Sequence, residues 1–406
     1  MTEAVETVVI GGGQAGLSAS YHLKQRGLDH VLLERGEIGE TWRSERWDSF
    51  LLNTPNWFLQ LPGHEYAGDE PSGFLTRTET IAHLEDYARK IDGDIRTKAE
   101  VLSVRTADDG FTLETATGRF AAKQVVVAAG SFRRATERPA AEGAGVVQLH
   151  AAEYRRPDQL PDGGVLVVGS GQSGCQIAAE LNRAGREVVL SLGRCPSIPL
   201  HYRGRTAYDW IVDIGMMDET VDTLPSPEAR LACNPTIASE DVRHLVGPHR
   251  LAREGVTLIG RVQAVDDRRA VIRPDGRERL AEAAQFVATY KKRVDDHIRT
   301  HGLDLPEDDG ASNGEVDVSD VEELDLGAAG IGTILWANGF RPDYSWIHFP
   351  IFDSYGWPMQ THGVTEVPGL YFVGMHWLHK RKSVLFLGVR EDAEHVADAI
   401  AAAANG

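Results

Sequence analysis

The chain contains two short apolar runs, and each of them ends in a glycine-rich turn. The first run, residues 6–10, leads into Gly11-Gly12-Gly13-Gln14-Ala15-Gly16, and the second, residues 164–168, leads into Gly169-Ser170-Gly171-Gln172-Ser173-Gly174. A helical pattern follows each turn. Both units are therefore predicted to be a β-strand, a Gly-x-Gly-x-x-Gly turn and an α-helix. In that arrangement backbone N–H groups and a helix N-terminus bind a pyrophosphate.

The rest of the hydrophobic pattern predicts how these two units are completed. Further strands are expected at residues 30–33, 124–130, 186–190, 332–339 and 369–374, and helices at residues 17–27, 176–181, 276–301 and 388–403. We interpret the chain as α/β, with two Rossmann-like dinucleotide-binding domains in a glutathione-reductase-like arrangement. Residues 1–158 and 337–406 are expected to form the first domain, and residues 159–336 a second domain inserted into it.

The end of the second strand in each unit predicts which ribose the unit binds. In the first unit this strand ends at Glu34, about 20 residues past the glycines, where a carboxylate accepts hydrogen bonds from a ribose diol. In the second unit it ends at Ser191, with Arg194 close behind. A carboxylate would repel a 2′-phosphate, whereas a hydroxyl and a guanidinium bind one. The second site is therefore predicted to select NADPH, with Arg203 or Arg205 as alternative phosphate partners.

Composition and charge limit where the protein is expected to be located and which partners it is expected to bind. The chain has 406 residues, of which 42% are hydrophobic, and no apolar run is long enough to cross a bilayer. Its first residues lead directly into the first strand, so we expect a cytoplasmic protein without a signal peptide. A formal charge of −18 argues against nucleic acid or an anionic membrane as a partner. Cys175, Cys195 and Cys233 have no Cys-x-x-Cys spacing, and no metal site is predicted.

Several stretches resemble the group B flavoprotein monooxygenases, specifically their bacterial flavin-containing monooxygenase-like branch. The resemblance covers essentially the whole chain. Besides the two turns, it rests on residues 39–48, Leu52-Asn53-Thr54-Pro55, His150-x-x-x-Tyr154 and residues 377–381.

The resemblance implies two cofactors and a reaction. FAD would bind the domain formed by residues 1–158 and 337–406, and NADPH would bind the inserted domain. The implied enzyme forms a C4a-hydroperoxyflavin from O2 and inserts one oxygen atom into a small organic substrate. Tyr154 stands where Baeyer–Villiger enzymes carry Trp, which favours oxygenation at N or S. A homodimer is the expected assembly for this kind of fold.

The same resemblance implies the site residues. Asn53 is the predicted catalytic residue, because it matches the family's asparagine that donates a hydrogen bond beside the flavin. Trp42 is expected to lie against the flavin ring, and Asn338 to contact a cofactor from the linker between the domains. The other predicted FAD contacts are Gly11, Gly13, Gln14, Ala15, Gly16, Glu34, Arg35, Thr41, Leu52, Gly130, Gly374 and Phe386. The predicted NADPH contacts are Gly169, Gly171, Gln172, Ser173, Gly174, Ser191 and Arg194.

Two further groups of residues carry weaker predictions. His150 and Tyr154 are expected to set the hinge between the domains rather than to transfer protons. The cluster of His376, His379, Lys380 and Arg381 is expected near the flavin, where it would orient an anionic substrate or the pyrimidine edge of the ring. A His-x-x-His pair also suggests a metal, but the sequence shows no third ligand.

Other functions remain open at this point. Residues 39–57 contain no cysteine, so electrons do not leave by the dithiol that disulfide reductases of the same build place there. The alternatives are an NAD(P)H-dependent flavin oxidase or reductase, Baeyer–Villiger oxygenation of a ketone, and a non-catalytic redox-sensing nucleotide-binding protein.

Overall fold

The computed structural model describes residues 2–132, 134–136, 145–266, 268–308 and 314–404. Its α-helices are Gln14–Gln25, Glu40–Ser44, Arg77–Ile91, Gln172–Arg183, Ala207–Asp213, Pro248–Arg253, Gly276–His301 and Val389–Ala404. Short 3₁₀ helices lie at Asn56–Phe58, Pro157–Gln159, Met216–Asp218, Val221–Thr223, Pro227–Leu231 and Arg381–Val384. No helix of the described residues is both long enough and apolar enough to span a membrane.

The first sheet has nine strands. Its main path runs in the order Gln360–Thr361, Val364–Thr365, Leu370–Phe372, Gly118–Val127, Thr2–Ile10, His30–Leu33 and Asp94–Arg96. The strands Val101–Ala107 and Gly110–Thr115 form an antiparallel hairpin that pairs with the start of Gly118–Val127. Thr2–Ile10 pairs in parallel with both of its neighbours. The carboxyl ends of these central strands therefore share one edge, where the first glycine turn begins.

The second sheet has five strands, all parallel. Their order is Val147–His150, Ile331–Trp336, Gly164–Val168, Val188–Ser191 and Thr257–Ile259. Every residue of the strand Gly164–Val168 is buried, which explains its continuous apolar run. The predicted α/β class with two Rossmann-like sheets is confirmed.

One strand differs from the predicted division of the chain. Val147–His150 lies within the segment assigned to the first domain, yet it pairs with Ile331–Trp336 at the edge of the second sheet. Its four residues are too few to show a clear period in the sequence. Its position in the second sheet is determined by its pairing with a strand that lies almost 190 residues away in the sequence.

Smaller elements surround the two sheets. Arg261–Asp266, Arg269–Arg273 and Glu323–Asp325 form a three-stranded antiparallel sheet. Two-stranded ribbons pair Gln60–Leu61 with His64–Glu65, Arg134–Ala135 with Phe340–Arg341, Ser197–Pro199 with Thr236–Ala238, and His201–Tyr202 with Arg205–Thr206. The predicted long helix is confirmed at Gly276–His301, where Tyr290, Val294 and Ile298 form its buried stripe.

Candidate active site

A cavity of about 410 Å³ opens at the carboxyl ends of the first sheet. It has the size and the concave shape of a small-molecule or cofactor site. Most of the residues predicted to contact FAD meet there, together with the predicted catalytic residue. The predicted residues that line it are Gly11, Gly13, Gln14, Ala15, Glu34, Arg35, Thr41, Trp42, Leu52, Asn53, Gly130, Gly374 and Phe386.

The first glycine turn forms one end of this cavity. Gly11 has a φ of +117°, and a Cβ at Gly16 would overlap the carbonyl oxygen of Gly11, so the turn is as tight as the motif requires. Gly16 itself stands behind the cavity wall. No side chain caps the following helix at Gly13, and its first turn contains no acidic residue. Its first N–H groups are therefore available to an anion.

The Glu34 carboxylate lies beside this turn. It is buried, and its two oxygens accept the backbone N–H groups of Gly12 at 2.5 Å and of Gly36 at 2.9 Å. These two bonds fix the carboxylate at the cavity wall. Each oxygen keeps a lone pair, so the position still suits a ribose diol.

Aromatic side chains form another part of the wall. Trp42 stacks on Phe386 with 6.1 Å between ring centroids, and Phe50 lies 5.8 Å from Trp42. The guanidinium of Arg46 lies over the Trp42 ring at 5.5 Å and also lines the cavity. This part of the wall therefore offers flat apolar surfaces and the Arg46 guanidinium to a planar ligand.

Asn53 is held from the second domain. Its side-chain Oδ1 accepts a hydrogen bond of 2.9 Å from Gln176 Nε2, and its backbone carbonyl accepts one of 2.7 Å from the hydroxyl of Tyr208. Gln176 is buried on the helix that follows the second glycine turn, and its Nε2 also donates to the carbonyl of His244. Among the described residues no acceptor is bonded to the Asn53 amide nitrogen. That nitrogen is therefore a donor fixed in orientation at the cavity wall.

The second glycine turn repeats the geometry of the first. Gly169 has a φ of +112°, and a Cβ at Gly174 would overlap the carbonyl oxygen of Gly169. The helix that begins at Gln172 has no side-chain cap at Gly171 and no acidic residue in its first turn. Gln172 and Ser173 are half-buried in that turn. Asn338 lies beside Gly169, at this turn rather than at the first cavity.

Ser191 does not take the predicted role at a 2′-phosphate. Its hydroxyl is buried, donates to the carbonyl of Gly260 and accepts the N–H of Val262, both at 3.0 Å. The side chain thus joins the end of its strand to the neighbouring sheet. The sequence predicts that the strand ends at Ser191, but it does not predict the direction in which the Ser191 hydroxyl points.

Arg194 lies on the surface close to the second turn. It is exposed, and the adjacent Gly193 donates its N–H to Ser170 Oγ of the second turn at 2.9 Å. The two alternative phosphate partners are already paired with acids. Arg203 contacts Asp295 and Glu307, and Arg205 contacts Asp213.

The predicted hinge residues are bonded within the protein. His150 is buried, and its Nε2 lies 3.3 Å from the carbonyl of Gly339. The hydroxyl of Tyr154 donates to Glu180 at 2.7 Å, and burial together with Glu180 raises the pKa of Tyr154. Tyr154 therefore keeps its proton at neutral pH, as a structural donor does.

The cluster that follows the last strand of the first sheet does not reach the cavity as predicted. Burial lowers the pKa of His376 to about 4, so this residue is neutral at pH 7 and does not attract an anion. Lys380 pairs with Asp218 and Glu391, and Arg381 pairs with Glu219. The side chains that do line the cavity come just after this cluster, at residues 384–386. The sequence predicts that this segment lies near the cavity. It does not predict the ion pairs that Lys380 and Arg381 form with acidic residues on distant elements.

Comparisons with known proteins identify the family to which the chain belongs. A family model described as pyridine nucleotide-disulphide oxidoreductase matches residues 8–197. A CzcO-like oxidoreductase from Geobacillus kaustophilus is 34% identical over 401 residues, which make up 98% of each chain. The chain belongs to the CzcO-like oxidoreductases. Its class as an oxidoreductase follows from this membership.

The family is related to flavoprotein monooxygenases, as the sequence predicted. Indole-3-pyruvate monooxygenase YUCCA6 from Arabidopsis thaliana is 32% identical to the chain over 197 residues, 45% of this chain and 46% of that protein. The solved structure of a flavin monooxygenase double variant from Stenotrophomonas maltophilia matches with a TM-score of 0.68 at 20% identity and covers 99% of each chain. The predicted resemblance is confirmed, and the structural match confirms the two-domain fold.

Sequence analysis missed several residues of the site. Arg46 lies two residues past the end of the short helix that carries Trp42, so no helical spacing in the sequence places its guanidinium over the Trp42 ring. Gln176 carries no local signal either, because its contact with Asn53 joins positions 123 residues apart. Tyr208 likewise reaches Asn53 only through the tertiary fold.

Proposed function

We propose that this oxidoreductase is an FAD-dependent, NADPH-using monooxygenase that inserts one oxygen atom into a small organic substrate at N or S. The observation that carries the proposal is the Asn53 amide, a donor held by Gln176 at the wall of a cavity that fits a flavin. O2 and a small molecule would be its other substrates. A cytoplasmic homodimer remains the expected form.

The residues at both turns fit dinucleotides. Each turn combines an open helix N-terminus with a second glycine, Gly13 or Gly171, whose missing side chain leaves room for a pyrophosphate. Glu34 suits the ribose of FAD, and Trp42 and Phe386 suit its ring. Bound FAD would accept a hydride from NADPH and, once reduced, would activate O2.

The protein's own contribution would be orientation and water exclusion. Buried Leu52 and Phe50 exclude water from the aromatic end of the cavity. Gln176 orients the Asn53 amide so that its N–H groups face the ligand rather than the protein. A preorganised donor of this kind stabilises developing negative charge without reorganisation during the reaction.

The fate of oxygen tests this function. We expect purified protein with bound FAD to consume NADPH and to transfer ¹⁸O from ¹⁸O2 to an aryl methyl sulfide or a tertiary amine, as detected by mass spectrometry. Stopped-flow absorbance at about 370–390 nm follows the predicted flavin–oxygen adduct. Oxygenation of a cyclic ketone alone would favour Baeyer–Villiger chemistry. NADPH oxidation that yields only H2O2 would favour the oxidase, and no reduction of FAD would favour a sensor.

Arg194 is the residue that we expect to select NADPH. Replacing it with alanine should raise the KM for NADPH about tenfold, because one charge-assisted hydrogen bond contributes about 1.5–3 kcal/mol. The KM for NADH should stay the same, since NADH has no 2′-phosphate. Steady-state kinetics with both nucleotides measures this, with Arg205→Ala as the matched control. Equal effects on the two nucleotides would remove Arg194 from this role.

A further inference from the structure

A group of metal-ligating side chains lies outside the cavity, on the C-terminal part of the first domain. Among the described residues, the group consists of His362, His379 and Asp392, whose ligand atoms all lie within 4.8 Å of one another. They come from three separate elements. His362 is in the turn of a hairpin, His379 precedes a 3₁₀ helix, and Asp392 is on the last helix. Tertiary folding alone therefore supplies the third ligand that the His376-x-x-His379 spacing lacks.

The buried carboxylate at the centre of this group has one oxygen without a hydrogen bond. Asp392 is only 2% exposed, and its Oδ2 has no hydrogen-bond partner among the described residues. The nearby lysines, Lys380 and Lys382, each pair with Asp218 and Glu391. A buried carboxylate oxygen without a hydrogen-bond donor is costly, and a cation bound at this oxygen would satisfy it.

The geometry between His362 and Asp392 also favours a cation. His362 Nε2 lies 3.0 Å from Asp392 Oδ1, yet that nitrogen has no hydrogen-bond partner in the described structure. The in-plane direction of Nε2 therefore does not point along the line between the two atoms. A metal ion placed beside that line would contact both atoms.

Two further imidazole rings lie close to His362. Its ring lies 3.8 Å from that of His379 and 3.9 Å from that of His395, measured between centroids. The site therefore brings several imidazole nitrogens, which are common ligands of transition metals, to one place beside the Asp392 carboxylate.

We propose that His362, His379 and Asp392 bind one divalent transition-metal ion, with Zn²⁺ as the best fit. Two imidazoles and one carboxylate form a common three-ligand set for zinc, with the fourth position left to water.

A metal bound at this site would stabilise a segment that forms part of the cavity wall. His379 is followed by the 3₁₀ helix Arg381–Val384, and Val384 and Phe386 line the cavity. Gln14 at the first turn donates to the carbonyl of Val384 at 2.6 Å. A metal would therefore fix this segment between the hairpin and the last helix. The proposal is independent of the proposed reaction, because it concerns binding alone.

Titration with zinc tests the site. Full-length protein without a histidine tag is treated with chelator, desalted and titrated with ZnCl2 in a calorimeter. We expect one equivalent to bind and the Tm to rise with zinc. Asp392→Asn and His362→Gln should each weaken binding at least tenfold, since even indirect contacts to a metal contribute about 10–100-fold.

Matched controls separate this site from other zinc ligands. His83 stacks on His64, with Asp86 nearby, but these residues do not form a metal group among the described residues. His83→Gln and Cys233→Ser should bind zinc like the wild type. The proposal would be overturned if the wild type did not bind zinc. It would also be overturned if Asp392→Asn and His362→Gln bound zinc as tightly as the wild type. Circular dichroism and FAD content check folding, and the half-exposed His379→Gln replaces any variant that does not fold.

Discussion

Replacing Gly13 with alanine is expected to give a folded protein that purifies almost free of FAD. The position has φ −88° and ψ −173°, a conformation open to any residue, and a Cβ built there meets no protein atom within 4 Å. The fold should therefore tolerate the methyl group. The pyrophosphate should not, because the second glycine of the motif permits close approach of the backbone. We expect a loss of affinity of about 100-fold or more, equivalent to ~3 kcal/mol.

The second turn offers a matched control for this variant. Gly171 has φ −72° and ψ −176°, and the nearest atom to its added Cβ is Cys195 Sγ at 4.0 Å. Gly171→Ala should keep the yellow colour of bound FAD but lose reduction by NADPH. The two variants thus test one nucleotide site each.

Flavin absorbance, calorimetric titration of FAD into stripped protein and NADPH-dependent bleaching measure these effects. Thermal melts of the stripped forms check that the fold is kept. If Gly13→Ala retained full FAD affinity, the first cavity would not be the flavin site. If Gly171→Ala were reduced normally by NADPH, the second turn would not be the donor site.

The elements that the sequence predicts well are those whose signal is local. The strand His30–Leu33 and the helix Gly276–His301 appear at their predicted bounds, since an apolar period and flanking glycines define them. The helix Arg77–Ile91 also begins at a local signal, although it is not among the predicted helices. Thr76 and Glu79 form a complete capping box at its start, and the spacing is visible in the sequence.

The unpredicted parts depend on contacts between distant positions. The place of Val147–His150 is decided by pairing with Ile331–Trp336. The two hydrogen bonds of the Ser191 hydroxyl end on residues about 70 positions away. The ligands of the candidate metal site likewise meet only after the hairpin has packed on the last helix. Rules based on the spacing of nearby residues do not predict contacts between positions so far apart in the sequence.

Replacing Asn53 with alanine is expected to separate NADPH oxidation from product formation. Reduction of FAD should proceed as in the wild type, because the hydride comes from the second site and does not involve this amide. Transfer of oxygen should fall by about 10²–10³-fold, the usual effect of removing one preorganised donor. Most of the NADPH consumed should then appear as H2O2. Oxygen uptake, peroxide release and sulfoxide or N-oxide formation measure the split.

Variants of Gln176 and Asn56 are the controls for this experiment. They separate the loss of the Asn53 donor from a general loss of stability. Gln176→Leu removes the bond that orients the Asn53 amide, so coupling should fall to a value between those of Asn53→Ala and the wild type. Asn56 is buried, and its amide bonds the carbonyl of Glu70 and the N–H of Leu75. Asn56→Ala should lower the Tm yet leave the product formed per NADPH unchanged. Full coupling in Asn53→Ala would remove Asn53 from catalysis. Full coupling in Gln176→Leu alone would leave Asn53 catalytic but would remove Gln176 as the residue that positions its side chain.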